Sequence, residues 1–169
     1  MAARAAQTNA NPQQVEAAFL RNFARYVTWP DHAFADEHSS WNVCILGNDQ
    51  FDGVLEKTLY GRTEQGRSFK IFHAAELERL PSCHIVFVGF KDSAKRRAAL
   101  AGLKMQPVLT VGDAPEFLRE GGIIRFRVGE HVEMSINLDQ ARSASLAIPT
   151  KMLEVSHEVV ENGMPRRWR

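Results

Sequence analysis

The residues most able to do chemistry in this 169-residue chain are six histidines, two cysteines and a polar join of Asn137, Asp139 and Arg142. The histidines are His32, His38, His73, His84, His131 and His157. No two stand four apart on a helical pattern, and neither cysteine sits at zinc-knuckle spacing, so no metal site is expected. Cys83 and His84 are neighbours on a strand-like run, where adjacent side chains face opposite ways, so His84 reads as structural. Gly61 to Gly66 has the outer spacing of a phosphate loop, but Arg67-Ser68 stands where Lys-Ser/Thr is required, and a strand pattern follows. Gly121-Gly122 also precedes a strand, so its N–H groups are not at a helix start. No nucleophile–base pair can be assembled. The expectation is a chain without catalytic residues, cofactor or metal, built to bind rather than to turn over.

The polar join has two readings. Asp139 suits the first turn of a helix and Arg142 follows at i+3, which favours a capping and ion-pair cluster that fixes a strand-to-helix junction. The second reading is a polar rim at a partner or ligand site. Another possible rim is the crevice outside the carboxyl ends of the central strands, the usual ligand position in open α/β sheets. It would carry Asn48, Asp49, Lys91 and Asp113.

These residues need a scaffold, and its elements are legible. Asn11-Pro12 is a helix start, with Asn as cap and Pro in the first turn. Val15, Phe19, Phe23 and Tyr26 recur at helical spacing until Trp29-Pro30 stops the run. Phe19, Phe23, Tyr26 and Trp29 read as core; exposed, they would be a sticky face for a partner. Strand patterns follow at Trp41 to Leu46, Phe69 to Phe72, Ile85 to Val88 and Val108 to Val111. The run at 85–88 is apolar throughout, as in a strand buried on both faces. Asp49 is placed to cap a helix through Leu59, and short helices are expected at Ala75 to Leu80 and Pro115 to Arg119. Ser93 is expected to cap a longer one through Leu103. Residues 123–136 read as an antiparallel hairpin around Gly129, and Leu138 to Ala144 and Thr150 to Val160 as the last helices. Strands alternating with helices give an α/β class: one compact domain at 11–161, a mostly parallel sheet flanked by helices, closed by the hairpin. Residues 1–10 read as disordered, and 162–169 as a flexible basic tail.

Composition excludes several partners. Hydrophobic residues are 44%, charged residues 24% and the net charge is +1, so no global field draws nucleic acid or an anionic membrane. No apolar run approaches the roughly 18–20 residues of a membrane span. Met1 to Pro12 lacks the apolar core of an export signal, while Ala2 to Ala6 has the small residues found around a cleavage site. This reads as a mature chain restarted at Met1. Cys44 and Cys83 are 39 positions apart. A bridge between them is worth about 4 kcal/mol in the chain-entropy treatment, and the alternative is two buried thiols. Spacing alone leaves both open.

Six blocks, in order, resemble the YfiR/HmsC-type family: AAFLRNFARYVTWP at 17–30, WNVCILGNDQF at 41–51, LPSCHIVFVG at 80–89, PVLTVGD at 107–113, GGIIRFRV at 121–128 and INLDQARSASLAI at 136–148. The resemblance implies a periplasmic, non-enzymatic repressor that binds the periplasmic sensor region of a membrane-bound diguanylate cyclase. It would keep cyclic di-GMP low, limit biofilm formation and tend to form a homodimer, without entering the membrane itself. An oxidising compartment also favours the Cys44–Cys83 bridge. Partner contacts are expected near Tyr26 and Trp29, or at the join of Asn137, Asp139 and Arg142. The alternative is a small-molecule-binding module using the crevice.

Overall fold

A computed structural model of the chain describes residues 11–168. The disordered segment expected at 1–10 lies outside them. Helix α1 (Pro12–Tyr26) begins as its sequence dictates: the Asn11 side chain accepts from Gln13 N–H at 2.7 Å, and Pro12 fills the first turn. Its inner face buries Ala17, Leu20, Phe23 and Ala24, and also Glu16. The chain leaves the helix in extended geometry at Val27, ahead of Pro30.

Among the described residues the sheet has nine strands: β1 (Trp41–Leu46), β2 (Thr63–Glu64), β3 (Arg67–Ala74), β4 (Ile85–Val88), β5 (Leu109–Gly112), β6 (Ile124–Val128), β7 (Val132–Asn137), β8 (Glu158–Glu161) and β9 (Met164–Arg166). Their order is β2-β3-β1-β4-β5-β6-β7-β8-β9. Strands β3, β1, β4, β5 and β6 run parallel, and β2–β3, β6–β7 and β8–β9 are antiparallel. The other helices are α2 (Val54–Leu59), α3 (Ser93–Leu103), α4 (Leu138–Ser143) and α5 (Thr150–Val155). The expected compact α/β class with a mostly parallel centre is the observed one.

Strand alternation divides the interior. Val43, Ile45, Ile85 and Phe87 face α1 and α2, while Cys44, Leu46, Val86 and Val88 face α3. Both faces of β1 and β4 are therefore covered, which is why β4 is apolar throughout and β1 is apolar from Val43 to Leu46. Cys44 and Cys83 form a disulfide, with Cα atoms 6.2 Å apart. It ties β1 to the residues just before its neighbour β4.

Several local expectations change. The helix expected from Asp49 is shorter: Asp49 Oδ1 accepts from Phe51 N–H at 2.9 Å, but Gly53 is the cap of α2. Asp92, not Ser93, caps α3, and 75–80 holds only a 3-10 turn at Leu77–Arg79. The helix expected to reach Val160 ends at Val155, and Val159 and Val160 enter β8, parallel to β7. A β-branched pair beside an unpaired strand gains more from the ladder than from another helical turn. The β6–β7 hairpin is thus interior rather than an edge. Within the tail expected to be flexible, Met164–Arg166 pairs with β8 as β9, and Trp168 packs against the core.

Candidate functional site

At the expected crevice the backbone of two loops is in close contact. The loops after β1 and β4 close on each other: a Cβ on Gly89 would lie 2.1 Å from the Asn48 carbonyl oxygen, so only glycine fits. Asn48, Asp49, Lys91 and Asp113 are exposed around this closed seam. Asp49 is engaged with His73, Oδ2 to Nδ1 at 3.4 Å, and His73 Nε2 lies 2.7 Å from Glu56.

Beneath Asp113 lies Glu16, which its place on the inner face of α1 buries to 1% exposure. Burial pushes its carboxyl up from 4.5 to about 7; a hydrogen bond from Gln50 opposes this, and the charge of Asp113 adds to it. A second buried charge is paired. Arg96 of α3 meets Glu120, Nε to Oε1 at 2.7 Å and Nη2 to Oε2 at 2.9 Å. The guanidinium fork holds the Glu120 carboxyl below its ordinary range, with help from the Ser93 hydroxyl. Sequence reasoning missed both sites. Glu16 was legible as i−4 and i−7 to Leu20 and Phe23, which places it on the buried stripe.

His84 is structural, as its strand position implies. Nδ1 accepts from Asn42 N–H at 3.0 Å, Nε2–H donates to the Ala33 carbonyl at 2.9 Å, and the ring stacks on Phe34. Burial, the largest cause, holds its pKa below 6.5. This set of partners requires the neutral ring, because Nδ1 must be an acceptor.

The expected partner residues separate. Trp29 is buried, donating Nε1–H to the His84 carbonyl at 3.2 Å and packing edge-on against Trp41. It is a core residue and offers no exposed contact. Tyr26 is 40% exposed and lines an apolar groove with Phe19, Met134, Met152 and Val155. Arg25 and Lys151 lie over its ring at 5.6 and 5.9 Å.

At the polar join, Asn137 caps α4: Oδ1 accepts from Gln140 N–H at 3.2 Å and Nδ2 donates to the Leu118 carbonyl at 3.3 Å. Asp139 accepts from Gly163 and Asn162 N–H at 2.9 and 2.8 Å, and these backbone donors hold its carboxyl below the usual range. Arg142 does not close an i,i+3 pair with Asp139. It bonds Glu161 at 2.7 Å, and Arg166 meets the same carboxylate at 2.6 Å. The partner switches because β8 and β9 fold back over α4, and no local pattern of residues marks those strands. The join is a clamp on the C-terminal hairpin, with Arg142 itself exposed.

No group of three or more His, Cys, Asp or Glu among the described residues is arranged to hold a metal ion. No helix among them is long and apolar enough to cross a membrane. The fold and these sites define an α/β domain with a parallel centre, a disulfide that ties β1 to the segment entering β4, and polar clusters engaged in holding its joins. The YfiR/HmsC-like family model matches residues 13–157, and the chain belongs to that family. A comparison with curated proteins gives no match.

Proposed function

We propose that the protein is a non-enzymatic periplasmic regulator that binds the sensor region of a membrane-bound diguanylate cyclase. In this reading it represses cyclic di-GMP synthesis, limits biofilm formation and acts as a homodimer. The observation that carries the reading is the family match across nearly all of the described chain. The Cys44–Cys83 disulfide supports the compartment, because such bridges persist where the environment is oxidising. The Tyr26 groove supports the mode of action: apolar anchors ringed by Arg25 and Lys151 are the anatomy of a protein-binding patch. The clamp around Arg142 is the second contact candidate, since its guanidinium stays accessible while it holds Glu161.

Repression is a population shift. To turn a mostly active cyclase mostly off, the regulator must bind the inactive sensor about 10⁴-fold tighter than the active one. The test is capture of the cognate sensor region by the purified chain, compared with Tyr26→Ala and Val155→Asp, alongside cyclic di-GMP in cells carrying the cyclase. Both variants should weaken capture and raise cyclic di-GMP at unchanged melting temperature. Full capture and full repression by both would remove the groove from the interface, and no capture by the parent chain would remove the function. The alternative, a small-molecule module at the crevice, has the closed Gly89–Asn48 seam against it.

A further inference from the structure

The alternation Ile124-Arg125-Phe126-Arg127 sends the two isoleucine–phenylalanine positions into the α1 side of the core and the arginines to the other face. On that other face α3 packs over β1 and β4, but among the described residues the sheet beyond β6 carries no helix of comparable length. There the strand register aligns one row of polar side chains. Arg125 stands opposite Ser135, and Ser135 opposite Glu158. This row floors a cavity of about 580 Å³, walled by Asn137, Arg119 and Gln140.

Arg125 is the group left unanswered in this floor. Its Nε is the one buried side-chain nitrogen or oxygen among the described residues with no hydrogen-bond partner. A buried donor without an acceptor is costly, and more so when the group is charged. The arginine fork is satisfied best by a planar or tetrahedral oxyanion bound through two parallel N–H donors. Arg119 supplies a second cation on the wall. Arg119 and Gln140 also border an adjoining cleft of about 290 Å³ that carries Arg97 and Lys104. Glu158 bounds the ligand from the far side. Two strand spacings, about 10 Å, separate its position from that of Arg125. An anion near Glu158 would be repelled, whereas a hydroxyl or other donor there would be welcome.

We infer that this cavity binds a small organic molecule bearing one oxyanion, a carboxylate or a phosphate, on Arg125, with a hydrogen-bond donor directed toward Glu158. The site lies away from the Tyr26 groove and does not depend on the regulator reading. A ligand there would rest on Asn137, the cap of α4, and on Gly163, whose N–H the Asp139 clamp holds, so its binding would stiffen the C-terminal hairpin.

The experiment follows the arginine Nε–H resonances of the full chain by NMR while inorganic phosphate or 4-hydroxybenzoate is titrated. A saturable shift of the Arg125 Nε–H supports the proposal. Response to phosphate alone assigns the phosphate class, and response to 4-hydroxybenzoate alone the carboxylate class. Arg125→Gln should weaken the responding probe by at least about tenfold in calorimetry, the loss expected for a charged hydrogen bond. Arg119→Ala, on the cavity wall, provides the same comparison should Arg125→Gln fail to fold, and should also weaken the probe. Glu158→Gln should leave phosphate binding equal or stronger. An Arg125 resonance unmoved by either probe overturns the proposal. So does one that moves with protein concentration instead, which would make this face an interface between copies.

Discussion

Replacing Glu16 by Gln should make the protein more stable above neutral pH and leave its acid stability nearly unchanged. Glu16 is buried on the inner face of α1 beside Gln50, with Asp113 as a charged neighbour. Its carboxyl rises from 4.5 in the unfolded reference to about 7 in the fold. Between those values the folded chain holds a proton that the unfolded chain releases, so stability falls as pH rises through the window. The full difference, about 2.5 pK units at 1.36 kcal/mol each, is about 3 kcal/mol and is reached above pH 7. Glutamine keeps an oxygen for the Gln50 amide and carries no charge, so it removes this penalty. Urea unfolding of both proteins from pH 4 to 9 measures the effect as a difference, in which the titration of other groups cancels. The gain for Glu16→Gln should be near zero at pH 4, grow through pH 4.5–7 and level off at up to about 3 kcal/mol. A pH-independent difference, or a variant less stable than the parent at pH 8, would refute the reasoning.

Other outcomes follow from the same structure. Cys44→Ala with Cys83→Ala should lose about 4 kcal/mol in denaturant unfolding, the chain-entropy value for the 39-residue separation. Equal stability of the double variant and the oxidised parent would show that the bridge constrains little. Glu120→Ala leaves the buried Arg96 guanidinium with only the more distant Glu116 carboxylate, at 3.5 Å, and should cost about 3 kcal/mol, read as a lower urea midpoint. A loss below 1 kcal/mol would mean that water reaches Arg96 freely. His84, held neutral with a lowered pKa, contributes stability that is complete above pH 6.5 and is lost as pH falls below it. His84→Gln should flatten that acid-side slope, and an unchanged slope would assign it to other groups. Arg142→Ala should speed amide exchange in β8 and β9 and lower the melting temperature slightly, and any further rise in cyclic di-GMP with the cognate cyclase would mark a direct contact as well.

The elements whose signals are local were legible from the residues alone. Asn11-Pro12 and Trp29-Pro30 bracket α1 because a cap, a first-turn proline and the restriction before proline act over one or two residues. The apolar run of β4, Ile85 to Val88, marks a strand covered on both faces, and the blocks that carry the family resemblance lie on such locally legible elements from α1 to α4. What tertiary structure decided is pairing at a distance. The spacing of Cys44 and Cys83 left bridge and free thiols equally open, and the parallel register of β1 with β4 settled it. The stretch after Val155 has apolar residues compatible with helix or strand, and the free side of β7 drew it into the sheet. That one addition moved Arg142 from Asp139 to Glu161 and turned a supposed tail into β9. Trp29 looked like the end of a helical stripe, yet its indole N–H found the His84 carbonyl in the core. Glu16 and Arg125 carry ordinary charged side chains in the sequence. The helical stripe placed Glu16 inward, but only packing on opposite faces of one sheet raised its carboxyl to about 7 and left the Arg125 Nε a buried donor without a partner.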